Sequence, residues 1–499
     1  MDKTLNFQFR KLTFIKTDSE ELNQLENTTL MRAVFNEYKQ VFPLKKALSK
    51  TQYGFTASAQ ESGNCRLLRI TDIKEDGINW ATVPFCDCDE LEKYGLDEKD
   101  ILIARTGGTT GKTILIQNIE ENSVFASYLI RLSVAHNYNP EYIYLFLNSY
   151  LFWNQILELK NGTAQPNVNA VKMTSILFPS CPKEIQDEIV EYKKNKVITN
   201  SVLKQAESDF QNINLVHQNL KLILSENEKQ TNIVSQLKQA ILQEAIAGQL
   251  TAEWRTENPM QKGNPDTDAA ALLAKIKSEK QQLIADGKLK KEKPLAEIAI
   301  DEIPFSLPKN WKWVRISDLG HDWGQKKPDV DFTYIDVSAI DKEKGIISND
   351  YQILNPENAP SRARKIVKKG TVIYATVRPY LLNIAIVDKD FEPEAIVSTA
   401  FAIIYPFANI ESKYIYYYLR SITFIRYVES QMKGMAYPAI NDSNFFKGLF
   451  PLPPLAEQKA IVEKVDKLMD IIDQLEQQIK HRKQLAENLM QTVLREAFE

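Results

Sequence analysis

The chain has 499 residues, 43% of them hydrophobic and 25% charged, with 62 Lys and Arg against 65 Asp and Glu and a net charge of -3. That length accommodates roughly three or four units of ~100–200 residues, and the composition excludes a disordered chain and a generally basic nucleic-acid binder. No run of 18 apolar residues occurs and Met1-Asp2-Lys3-Thr4 opens no signal peptide, which points to a cytoplasmic protein with no membrane-spanning helix.

Residues 1–183 read as a first globular unit of mixed strands and helices. Arg66 to Ile73 and Asp100 to Arg105 are strand-like, with Gly63, Gly77 and Gly107-Gly108 supplying turns. Cys65, Cys86, Cys88 and Cys181 are too few for a disulfide framework, and Cys86-Asp87-Cys88 lacks a second pair or a nearby His, so no metal is expected. ILIARTGGTTGKT, Ile101 to Thr113, imitates a phosphate loop, but Thr106 stands where such a loop needs its first Gly. Ile114-Leu115-Ile116 moreover continues as strand instead of opening a helix. A glycine-rich hairpin carrying Arg105, Thr109 and Lys112 fits better, with its cations suited to phosphate.

Glu141 to Leu159 has helical spacing, with Tyr142, Leu145, Phe146, Ser149, Phe152, Trp153 and Ile156 on one stripe that reads as core. The loop NGTAQPNVN, Asn161 to Asn169, follows, and Lys172 lies just beyond it. Gln165, Asn167 and Asn169 are side chains of the type that pair with adenine edges. A plain turn is the competing reading.

Residues 184–250 read as a first long helix with heptad-spaced Ile185, Ile189, Tyr192, Leu203, Ala206, Phe210, Ile213, Leu220, Leu224, Val234, Ile241 and Ala245, stopped by Gly248. A charged linker covers 251–305, in which Asp268 to Asp286 can form a short surface helix. Residues 306–454 form a second globular unit. It carries the basic cluster Arg362, Arg364, Lys365, Lys368 and Lys369, then Arg378-Pro379-Tyr380, and the loop KGMAYPAIN with Lys433, Tyr437 and Asn441. A solvated charged face is the alternative for that cluster. Residues 455–499 are a second helix with Ile461, Val465, Leu468, Ile472, Leu475, Ile479, Ala486, Leu489 and Val493 in heptad spacing, interrupted at Arg482.

The second unit repeats the first 272 residues later: Tyr142-Ile143-Tyr144 returns as Tyr414-Ile415-Tyr416, Gly162 as Gly434, Pro166 as Pro438, Phe178-Pro179 as Phe450-Pro451 and Gln186 as Gln458. So long a period means whole domains, not a solenoid. The two recognition loops share a frame but differ at the tip, Gln-Pro-Asn against Tyr-Pro-Ala, as two readers of different half-sequences would. Pro182 to Leu237 exceeds Pro454 to Leu489 by 20 residues, so the first helix either overhangs its partner or breaks, with Ser225 to Thr231 the expected break. No zincin motif or nucleophile elbow occurs, the four histidines are scattered, and Asn139-Pro140 continues as Glu141-Tyr142 rather than as an adenine methyltransferase motif. The chain reads as non-catalytic, with charge balanced in each globular unit: 20 Lys and Arg against 21 Asp and Glu in 1–183, and 19 against 16 in 306–454.

With LPPLAEQKAIVEKVDKL (Leu452 to Leu468), PSCPKEIQDEIV (Pro179 to Val190), SQLKQAILQEAIAGQLTAEWR (Ser235 to Arg255) and IPFSLPKNWKWVRISDLG (Ile303 to Gly320), the chain resembles specificity subunits of type I restriction-modification systems over nearly its whole length. Cys181-Pro182-Lys183 departs from the usual double proline. The resemblance implies two α/β (mixed α+β) target recognition domains, held apart by two antiparallel coiled-coil helices about a pseudo-two-fold axis. Each domain would read half of a split site in double-stranded DNA. It also implies two modification subunits that bind S-adenosylmethionine and methylate adenine, and a separate restriction and translocase subunit. A free-standing DNA-binding regulator and a coiled-coil scaffold without a DNA role are the alternative readings.

Overall fold

Each half of the chain pairs its strands in the same order, far beyond the stretch where the sequence repeat is visible. The computed structural model describes residues 17–74, 77–106, 109–120, 122–160, 168–291, 295–434 and 438–498. In the first half a four-stranded antiparallel sheet runs Leu48–Tyr53, Leu129–Val134, Ile101–Ala104, Thr113–Leu115. In the second half the order is Gly320–His321, Phe401–Pro406, Val372–Ala375, Ile384–Ile386. A second sheet in each half has one parallel pair, Cys65–Leu68 with Ser123–Phe125 and Phe332–Ile335 with Ala395–Ser398.

The central strands are buried on both faces, which is why they read as unbroken apolar runs. Ile101 and Ile103 enter the helix-side core with Phe146, Trp153 and Phe178, while Leu102 and Ala104 enter a second core with Leu68 and Phe125. Val372 and Tyr374 against Ile373 and Ala375 divide in the same way. The period of two along a strand feeds two cores at once.

The residues that repeat in sequence are those with directional work. Tyr142 and Tyr414 donate their buried hydroxyls to the Pro179 and Pro451 carbonyls at 2.8 and 3.0 Å. Gln186 and Gln458 accept the backbone N–H of Asn139 and Glu411 and donate to the Cys181 and Pro453 carbonyls. The helix expected over Glu141 to Leu159 is two helices, Pro140–Leu147 and Tyr150–Lys160, and Ser149 hydrogen-bonds the Phe146 carbonyl at the joint.

The first long helix is broken, but not at Ser225 to Thr231. Lys183–Asn195 ends on Lys196 in a left-handed conformation, and a new helix, Ser201–Ile246, starts behind the Asn200 side chain, which caps the Leu203 N–H. Asn and the β-branched Val197, Ile198 and Thr199 favour the interruption, whereas Glu, Lys and Gln in 225–231 are good helix formers despite their polarity. The segment that is one helix in the second copy is thus two in the first. The two long helices, Ser201–Ile246 and Leu455–Phe498, are nearly equal at 46 and 44 residues. Gly248, at φ +75°, follows the end of the first.

The chain divides into two compact units, 1–227 with 481–499 and 228–480, so each long helix begins in one unit and ends in the other. In the second unit the helices run antiparallel, since Lys238 pairs with Asp473 and Glu476, and Lys464 donates to the Leu250 carbonyl. Ile241, Ala245, Ile461, Val465, Ile472 and Ile479 form the buried seam there, while Leu475 at a seam position stays exposed.

The segment 251–305 is not simply a solvated linker. Asp268 caps the helix Ala269–Ala285, whose Ala269, Leu272 and Ile276 are buried, the last two in the core of the second unit. Their spacing of three and four residues makes an apolar face that average composition conceals.

Candidate nucleic-acid interface

In both units the end of a central strand is stitched to the loop before a short helix. The Arg105 N–H donates to the Tyr128 carbonyl, and the Arg105 carbonyl accepts from Val168 N–H. In the second unit Thr376 N–H donates to the Ala400 carbonyl and the Thr376 carbonyl accepts from Ile440 N–H. One backbone arrangement therefore presents Arg105 and Tyr128 in one unit, while in the other it holds Thr376 buried, its hydroxyl donating to the Ala400 carbonyl at 2.9 Å.

Around Arg105 the first unit gathers an aromatic and cationic surface. The guanidinium lies 4.9 Å from the Tyr53 ring centre, Tyr53 hydroxyl accepts the Ala170 N–H, and Tyr53, Tyr128 and Lys172 are exposed. Tyr53 and Tyr128 were not singled out by the sequence, because their strands and turns carry no distinguishing motif. Thr109 lies in the turn between the strands and accepts the Lys112 N–H through its carbonyl. Lys112 does not join Arg105; it lines a separate cleft of about 610 Å³ with Trp80, Glu141, Tyr144 and Lys193. Gln165 and Asn167 lie outside the described residues.

Asn169 is the N-cap of helix Ala170–Thr174, its side-chain oxygen accepting the Lys172 N–H at 2.9 Å. Asn441 caps Asp442–Lys447 in the same way through Asn444 N–H at 2.7 Å. The repetition of this Asn is explained by capping, and with its oxygen committed neither side chain is poised for a two-point adenine contact.

In the second unit Val377 bridges Ala439, Lys433 pairs with Ala439, and Arg378 N–H donates to the Pro438 carbonyl. Between the left-handed Arg378 and Leu382 stands the turn Pro379–Leu381, with Tyr380 half exposed and Val377 and Leu381 beside it. Holding two non-glycine residues at positive φ costs ~1–3 kcal/mol each, so the surrounding bonds must impose this turn. Arg378, Tyr380 and exposed Lys433 thus share one site; Tyr437 falls outside the described residues.

The basic cluster separates. Lys365 is buried, donating to the Phe401 carbonyl at 2.6 Å and to Asp442 at 2.8 Å, so it is an internal tie and not a phosphate contact. Exposed Arg362 pairs with Asp336 at 3.3 Å, half-buried Arg364 donates to the Ala363 carbonyl, and Lys368 covers the Trp323 ring at 3.9 Å. A solvated face accounts for much of this cluster. Cys65, Cys86 and Cys88 are buried free thiols, and burial pushes the Cys86 thiol up to about 12. Among the described residues no cluster of metal-binding groups occurs and no helix is long and apolar enough to cross a membrane.

A family model described as the type I restriction modification DNA specificity domain matches twice, over residues 55–209 and 308–482. The EcoDI type I restriction enzyme specificity subunit of Escherichia coli is 24% identical over 430 residues, covering 84% of this chain and 82% of that protein. The EcoAI specificity subunit of Escherichia coli is 29% identical over 271 residues, covering 52% of this chain but only 44% of its own length. A solved structure titled for complex assembly and conformational transition of the type I R-M system overlays 92% of this chain on 97% of its own, at TM-score 0.50 and 14% identity, a likeness of fold. The HsdS subunit from Thermoanaerobacter tengcongensis is 37% identical where 39% of this chain overlays 50% of that one, with TM-score 0.35.

Proposed function

The chain belongs to the type I restriction-modification DNA specificity family, and from that premise we propose that it reads a two-part site in double-stranded DNA and serves as the non-catalytic specificity subunit of a methylating and cleaving complex. The observation that carries this reading is the shared backbone stitch that presents Arg105 and Tyr128 in one unit and, just beyond the buried Thr376, Arg378 and Tyr380 in the other. One frame with two sets of side chains suits two different half-sequences. Arg and Tyr supply phosphate, guanine-edge and stacking contacts.

On this reading two modification subunits dock on the chain, bind S-adenosylmethionine and methylate adenine in each half-site, while a restriction and translocase subunit supplies cleavage. The complex works in the cytoplasm, where its DNA is. The two long helices set the number of unread base pairs between the half-sites.

The test is to express the chain with its modification subunits and map adenine methylation across a host genome. Two fixed half-sequences at a constant gap, lost when the chain is omitted, are expected. Methylation independent of the chain, or a single uninterrupted site, defeats the reading.

A further inference from the structure

One buried carboxylate is surrounded by four donors, whereas the position that corresponds to it in the first copy is apolar. Glu457, in the first turn of helix Leu455–Phe498, is completely buried. One carboxylate oxygen accepts from the Thr251 hydroxyl at 2.7 Å and from Arg255 at 2.5 Å; the other accepts from the Trp311 indole at 2.7 Å and from the Asn310 amide at 3.2 Å. Arg255 also donates to the Gly248 carbonyl at 2.5 Å. Four donors come from two stretches far apart in sequence: the exit of helix Ser201–Ile246, and the entry to the second recognition domain.

A buried carboxylate is tolerated only when paired and fully hydrogen-bonded, and such a group fixes geometry where an apolar residue would give equal stability with less direction. The position that corresponds by the repeat is Ile185, a half-buried apolar residue. Packing is therefore sufficient to seat a helix on a recognition domain. The carboxylate adds orientation.

We propose that Glu457 is a positioning residue for specificity: it locks the end of one long helix, the start of the other and the entry to the second recognition domain at Asn310 and Trp311 into one joint, so that the half-site read by that domain lies at a fixed distance and rotation along the DNA. This rests on the functional reading above. Glu457→Gln keeps the volume but turns an acceptor into a donor facing donors and removes the charge opposite Arg255; Thr251→Val removes a single donor from the joint.

Both variants of the full chain are expressed with the modification subunits, and the gap lengths of methylated sites are compared with wild type. With the half-sequences unchanged, sites whose gap is one base pair too long or too short are expected to gain about tenfold in relative methylation for Glu457→Gln, as loss of one partner in a buried pair allows, and less for Thr251→Val. In the purified chain, amide exchange at residues 248–255 should accelerate at least as much as at 310–311. A gap distribution as sharp as wild type in Thr251→Val and in whatever Glu457→Gln accumulates overturns the proposal, as does a change of half-sequence. Should the wild-type chain direct no two-part methylation, the functional reading itself falls, and the exchange measurement still decides whether the joint is rigid through Glu457: unchanged exchange in both variants overturns it.

Discussion

Single side chains divide into those that hold the recognition frame and those that it displays. Lys365 belongs to the first group: removing it leaves the Phe401 carbonyl without its donor and Asp442 without its partner. Lys365→Ala should cost about 1–3 kcal/mol, read as a lower melting temperature, with the DNA half-site unchanged. Arg378 belongs to the second group. Arg378→Ala should relax recognition in one half-site, at roughly 1–3 kcal/mol per lost base contact, and Arg105→Ala in the other, measured by sequencing methylated sites. Equal relaxation of both halves by either substitution would refute separate readers. The sequence offered Lys365 and Arg364 as equivalent neighbours, since a basic run does not say which cation faces inward; in a strand the alternation sends Lys365 into the core. Asn169 and Asn441 show the converse, for a residue repeated in both loops invited a base-reading role and its constancy comes from capping.

Helices were legible from heptad spacing, and their boundaries were not. The seam positions Ile461, Val465, Ile472 and Ile479 are buried as their spacing requires. The break at Lys196 to Asn200 carries no strong polarity signal, whereas the polar Ser225 to Thr231 contains straight-chain residues that keep the helix intact. The sheets were least visible, since apolar residues substitute freely for one another in a two-sided core, leaving ILIA and VIYA in equivalent strands. One element carries a pH dependence. In helix Asp18–Tyr38 the approach of His217 to 3.4 Å, with Lys221 nearby, holds the Glu21 carboxyl below its ordinary 4.5. Burial alone would raise Glu26, but its ion pairs with Lys193 and Lys196 prevail and lower it. Depressed carboxyls contribute stability that is complete above their unfolded values and disappears as the pH falls through the folded ones. Protection of the amides in residues 18–38, taken relative to their intrinsic exchange at each pH, should therefore fall on acidification below about 4.5, and Glu26→Gln should flatten that fall. Protection indifferent to pH between 6 and 3, about the range where carboxyls titrate, would show that these pairs do not hold the helix.

At the scale of the molecule the question is whether helix length sets the separation of the half-sites. The two long helices are nearly equal in length and each passes between the compact units, so a spacer change must be made in both to keep their seam in register. Adding residues singly would rotate every following seam position by about 100°, whereas a heptad restores the seam almost in phase. One heptad inserted within Ser225 to Thr231 and another after Lys480 lengthens each helix by about 10 Å, which corresponds to roughly three base pairs at ~3.4 Å each when the helices lie along the duplex. Methylation mapping should then find the original half-sequences separated by about three more base pairs. A heptad in only one helix should instead destabilise the chain, because the seam positions beyond it would meet the partner's one heptad out of axial register and one helix would overrun the other. The paired insertion leaves both recognition frames untouched, so new half-sequences at the old gap would contradict the division of labour between reading and spacing. An unchanged gap with unchanged half-sequences would mean that contacts with the modification subunits, and not the helices, measure the distance.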